Sequence, residues 1–127
     1  MLDFMKKFEG ETYALMRIFA GLMFAFHGMQ KLFGWPLPAH DGAPAFITWV
    51  AGPIELVGGL MVAVGFLTVP AAFLCSGTMA VAYWMAHGLK HLLPILNQGE
   101  LAVLYCFVFL FVAAKGSGKW SVDAARA

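Results

Sequence analysis

Charge is what this chain has least of. Asp, Glu, Lys and Arg make up 12% of its 127 residues, against roughly 25% in a soluble globular domain, which is too few to coat a folded surface in water. The basic residues are scattered and the net charge is only +1, so no phosphate-tracking stripe forms and no nucleic-acid partner is expected. Cysteine is sparser still. Cys75 and Cys106 stand in separate apolar segments without a CxxC pair, and they read as buried small hydrophobes rather than a redox couple. The sequence also has no HExxH zinc helix, nucleophile triad or dinucleotide loop, and GSGK at Gly116 lacks the length and setting of a P-loop. No metal ligand and no catalytic residue is therefore assigned. No polar linker divides the chain, so residues 1–127 read as one integral membrane domain. Glu9 and Glu11 ahead of the first apolar run argue against a cleavable signal peptide.

What the chain has is apolar surface: 61% hydrophobic residues, 12 Phe, 8 Met and 14 Gly, with a mean hydropathy of +0.79. Four apolar runs cover about residues 12–33, 45–66, 69–89 and 98–114. A helix rising ~1.5 Å per residue needs about 20 residues to cross hydrocarbon. The expected fold is all-α, a bundle of four transmembrane helices with short connecting loops, surrounded by membrane lipids. Residues 1–11 read as an interfacial turn, and Trp35 and Trp49 hold the first loop near the headgroups. Lys6, Lys7, Lys115, Lys119 and Arg126 lie near the termini, against Lys31 and Lys90 on the opposite side, which predicts an N-in, C-in arrangement. Glycine-rich faces beyond the needs of one small bundle make a homo-oligomer plausible.

The polar residues inside these runs carry the functional question. On a helical wheel Arg17, Lys31 and His27 fall about 40° apart in turn, on one side of the first helix. Gly21, Ala25 and Gly28 form a seam for close helix approach. Glu55 sits among Gly52, Gly58 and Gly59, deep enough to meet Arg17 as a buried pair. His27, Lys31, His87, His91 and Glu100 belong to the opposite half. Interhelical hydrogen bonding, a proton-handling or quinone-contacting role, and haem ligation are all open for the histidines. Lys31 can also snorkel to the headgroups. Asn97 with Glu100 matches a capping box.

RIFAGLMFAFHGMQKLFG at 17–34, GPIELVGGLMVAVG at 52–65 and LNQGELAVLYCFVFLFVAAKGSGKWSVD at 96–123 together resemble the DoxX family of small integral membrane proteins. The resemblance implies a multi-pass protein of the bacterial cytoplasmic (inner) membrane, linked to quinol oxidation, thiol or sulfur redox chemistry and oxidative stress. Two functions follow. In the first, the chain is a quinone-interacting subunit of a larger oxidoreductase system, with soluble or membrane redox partners. His27, Lys31, Glu55, His87 and Glu100 would then be the cofactor-binding residues: His87 or Glu100 exchanges a proton and Lys31 polarises a carbonyl oxygen. In the second it is a non-enzymatic scaffold or a carrier of small lipophilic molecules. Whether the chain is itself an enzyme is left open.

Overall fold

The computed structural model describes residues 2–127; Met1, the first residue of the expected interfacial turn, lies outside them. A 3₁₀ turn over Asp3–Phe8 leads into helix α1, Glu9–Phe33, which stops where Gly34 turns left-handed at φ +64°. Helix α2, Ile47–Val64, contains two wide π-turns at Ile47–Ala51 and Ile54–Gly58. A tight turn leads to α3, Thr68–Gly88, whose last five residues are again a π-turn. The short α4, Pro94–Asn97, precedes α5, Glu100–Lys115, and the chain ends on α6, Val122–Arg126. Among the described residues there is no strand.

The fold is helical throughout, but the expectation of four membrane-crossing helices is overturned. Among the described residues only α2 and α3 are both long and apolar enough to cross a membrane. Helix α5 has 16 residues, or ~24 Å, short of a ~30 Å hydrocarbon layer. Helix α1 has the length, 25 residues, but Arg17, His27, Gln30 and Lys31 dilute its apolar run. Two crossings, like four, leave both termini on one side, so the change in count does not bear on the N-in, C-in expectation.

Packing follows the small residues. Helix α1 lies along α2, and α3 lies along α5. A Cβ added at Gly21 would stand 2.5 Å from the Gly59 carbonyl oxygen, and one at Gly59 would stand 2.6 Å from the Gly21 carbonyl oxygen. The seam seen in the first helix is thus answered by one in the second. Between the two helix pairs, Phe24, Val62, Ala72, Cys75, Phe109 and Val112 form the centre of the core.

The C-terminal segment is sewn into this bundle rather than lying loose at an interface. Arg17, wholly buried, spends its guanidinium on five backbone carbonyls: Val62 (3.0 Å) and Ala63 (3.4 Å) at the end of α2, and Ser117, Lys119 (2.8 Å) and Trp120 (2.7 Å) in the tail. That uses as many contacts as the group has N–H donors. Tyr13 donates to the Gly116 carbonyl at 2.6 Å, and Lys119 meets Glu11 at 2.7 Å. Asp123 accepts from the Thr68 hydroxyl at 2.7 Å and from the Thr68 and Leu67 backbone N–H groups, both at 2.9 Å. It thereby caps α3 and holds Leu67 at φ +46°. The Thr68 hydroxyl, with the backbone donors and nearby Arg126, keeps the Asp123 carboxyl below its ordinary value.

Candidate functional site

With Arg17 committed to carbonyls, the expected Arg17–Glu55 pair does not form. Glu55 meets Lys31 instead: Nζ lies 3.0 Å from Oε1 and 2.9 Å from Oε2. The register of the crossing decides the partner. Gly28 sits against the Leu56 backbone and Gly52 against Lys31 and Leu32, so Lys31 rather than Arg17 comes level with Glu55. Glu55 is 1% exposed, whereas the Lys31 side chain keeps 22% of its surface. Only Oε1 accepts a directed hydrogen bond; Oε2 is held by charge alone. The carboxylate lies within electrostatic reach of the Cys75 thiol on α3 and the Tyr105 hydroxyl on α5.

Tyr105 is the residue that sequence reasoning missed. It is 5% exposed, and its hydroxyl is buried without a hydrogen-bond partner. The ring is fixed by Phe24, Phe109 and, edge-on at 6.0 Å between centroids, His27. Leaving such a hydroxyl unsatisfied costs about 1–3 kcal/mol, so an orphan there is a site to explain. The signal was present in the sequence as the single phenol in the run LAVLYCFVFLF, since a buried tyrosine normally finds a partner for its O–H.

Tyr105 and His27 face a cleft of about 370 Å³, lined also by Met23, Phe26, Gln30, Pro36, Leu37 and Leu101. Helix α1 supplies one wall, α5 the other, and the loop after α1 covers the end. Gln30 holds that loop by donating to the Pro38 carbonyl at 2.9 Å. A largely apolar cleft of this size with a few polar residues in its wall has the general character of a small-molecule site. A second groove of about 330 Å³ between α2 and α3 is lined by apolar side chains and Thr78. The Thr78 hydroxyl turns back onto the Leu74 carbonyl at 2.8 Å, so the groove has no group to orient a ligand.

The remaining expected ligand residues lie elsewhere. His87, at the end of α3, places Nδ1 2.9 Å from the Asn97 carbonyl. A carbonyl only accepts, so Nδ1 carries the proton there. Asn97 in turn donates to the Tyr83 hydroxyl (2.9 Å) and the His91 carbonyl (3.0 Å), and accepts from the Gly99 N–H (2.8 Å). The capping box therefore does not form: α5 begins at Glu100 itself, and Glu100 is exposed. His27 packs edge-on against Tyr105 and Lys31 pairs with Glu55, while His87 joins the α3–α5 connection.

A DoxX family model matches residues 12–88. Over 125 residues the chain is 37% identical to an uncharacterized protein of Haemophilus influenzae, covering 94% of this chain and 93% of that one. Over 122 residues it is 29% identical to a protein of Bacillus subtilis named putative oxidoreductase CatD, covering 93% and 88%. No solved structure matches.

Proposed function

The chain belongs to the DoxX family of small membrane proteins, and from that premise we propose that it is a redox-associated protein of the bacterial cytoplasmic membrane. It crosses with α2 and α3 and receives a quinone-type headgroup in the cleft between α1 and α5. The observation that carries this reading is the cleft of about 370 Å³ whose largely apolar wall carries His27, Gln30 and Tyr105, with the unpartnered Tyr105 hydroxyl buried next to it. The name of the B. subtilis relative supports redox association in general. Once its buried hydroxyl is turned to the cleft, Tyr105 would donate to one headgroup oxygen, His27 would offer a ring nitrogen to the same end, and Met23, Phe26 and Leu101 would line the ring faces. A quinone, when bound, supplies two-electron, two-proton redox chemistry. Electrons pass to or from a partner protein, because the described side chains include no organic redox centre of their own.

Titration of the protein in lipid nanodiscs with decylubiquinone tests the site. Loss of one neutral hydrogen bond is worth about 1 kcal/mol, roughly fivefold in Kd. Tyr105→Phe and His27→Ala should each weaken binding by about that factor, while His87→Ala should not. Equal binding by all four proteins would refute the assignment. A hydrocarbon of the same size binding as tightly as the quinone would identify a carrier of lipophilic molecules instead.

A further inference from the structure

We propose that the loop from Gly34 to Pro44 is a hinged cover over the end of the cleft and that the Gln30 side chain is its latch; this rests on the reading of that cleft as the binding site. Three connections join the long helices, and they are held unequally. The α2–α3 turn is bound by Asp123 through three hydrogen bonds. The connection from α3 to α5 is organised by Asn97, a buried side chain that makes three more, with His87 on its carbonyl. The loop between α1 and α2 has far less. Every residue from Phe33 to Phe46 is exposed. The Gly34 N–H closes α1 on the Gln30 carbonyl, and the Ile47 N–H opens α2 on the Pro44 carbonyl, both at 3.0 Å. Between them, among the described residues, one hydrogen bond ties the loop to a helix: Gln30 Nε2 donates to the Pro38 carbonyl at 2.9 Å. Trp35 adds a ring contact with Phe26, 6.0 Å between centroids. Gly34 and Gly42 take φ of +64° and +75°, and neither has an atom within 4 Å of where a Cβ would stand. Both can therefore turn without displacing a neighbour, as hinges must.

The loop is placed to control access. Pro36 and Leu37 line the cleft together with His27 and Gln30, so swinging the loop away removes part of the wall and opens that end to water. Gln30 is wall and latch at once. Pro38 has no N–H of its own, so the bond runs one way and depends on the amide donor at position 30. Segments with few buried contacts and exposed hydrogen bonds open at the least cost, and active-site lids are drawn from them. Loss of one neutral hydrogen bond changes the ratio of open to closed by about fivefold. The cover thereby sets how fast molecules pass between the cleft and the aqueous phase. The competing route is sideways entry from lipid between α1 and α5.

The test measures how fast a charged, membrane-impermeant thiosulfonate labels a thiol placed in the cleft of the nanodisc-embedded protein. His27→Cys puts the thiol on the cleft wall and Ala39→Cys puts one on the exposed loop; the native protein gives the background from Cys75 and Cys106. His27→Cys should label more slowly than Ala39→Cys. Adding Gln30→Met, which keeps the bulk and removes the amide, should speed labelling of His27→Cys about fivefold and leave that of Ala39→Cys within about twofold. Gln30→Glu, close in shape but without a donor when ionised, should act the same way, which a role through bulk alone would not produce. Unchanged labelling of His27→Cys in both latch variants would overturn the latch. Native-loop labelling of His27→Cys as fast as that of Ala39→Cys would overturn the cover. So would labelling of His27→Cys in every background by a lipid-soluble maleimide only, which would assign entry to the lipid side. Saturating decylubiquinone should slow labelling of His27→Cys. If it does not, while the latch effect persists, the quinone reading fails and the cover stands.

Discussion

Removing the Lys31 ammonium while Glu55 stays in place strands a carboxylate that is 1% exposed. Breaking one side of such a pair typically costs about 3–5 kcal/mol. Lys31→Met and Glu55→Gln should therefore each lower the unfolding free energy strongly, and the double variant should lose much less than their sum, because neither charge is then left alone. Chemical unfolding of the four proteins in detergent closes that cycle; additive losses would mean that the two side chains do not interact. The partners themselves were only half legible in the sequence. That Glu55 had to be buried and neutralised follows from a lone acid among glycines in an apolar run. Which cation it takes depends on how far α1 slides along α2. Rise per residue put Arg17 within reach, but backbone contact at Gly28 and Gly52 sets a register that brings Lys31 there. Tyr105 escaped notice for a different reason: a phenol in an aromatic run looks like packing until its oxygen is found without a partner.

Helix positions were legible because an apolar run broken by Gly and Pro has few other ways to satisfy its backbone. How many helices cross a membrane was not, since that depends on where α1 loses hydropathy to its polar side and on α5 starting only at Glu100. The close crossing of α1 and α2 makes a sharp demand at this scale. Gly21→Ala would push a methyl carbon to 2.5 Å from the Gly59 carbonyl oxygen and 2.6 Å from the Ala63 nitrogen, and overpacking of that kind costs about 1–3 kcal/mol. Gly77→Ala, at an exposed position in α3 with no atom within 4 Å of the new carbon, should instead gain up to about 1 kcal/mol of helix propensity. Thermal unfolding that ranks the two the other way would contradict the seam. The α2–α3 turn adds a pH dependence. The Asp123 carboxyl is held below its ordinary value by Thr68 and the turn backbone. Its contribution is therefore fully present above the unfolded carboxylate value, about 3.9, and is lost as pH falls through the lower folded value. Asp123→Asn should be less stable than native near neutrality, and the gap should close on acidification; a gap independent of pH would rule the carboxylate out as the cap.

For the molecule as a whole, the tail does what a fifth long helix would otherwise have to do. It joins α1 through Arg17 and Tyr13, the α2–α3 turn through Asp123, and α5 by direct continuation. Both helix pairs are therefore tied at the end of the bundle away from the Tyr105 cleft. Ending the chain at Lys115 would remove the carbonyls of Ser117, Lys119 and Trp120 from a guanidinium that has no carboxylate partner and is wholly buried. Each orphaned polar group costs about 1–3 kcal/mol, more where the donor is charged. The sum approaches the whole stability of a small domain, about 5–15 kcal/mol. The truncated protein should therefore fail to accumulate or should unfold far below the native temperature. Adding Arg17→Met to the truncation should recover part of the loss, because the stranded charge goes with the tail that neutralised it. With the tail in place the same substitution should destabilise, since it takes the guanidinium from five carbonyls, of which Val62 keeps the Gly65 N–H. Opposite signs for one substitution in two backgrounds, read from melting temperatures in detergent, are what a clamp requires; a loss in both backgrounds would mean that Arg17 supports the bundle by some route other than the tail.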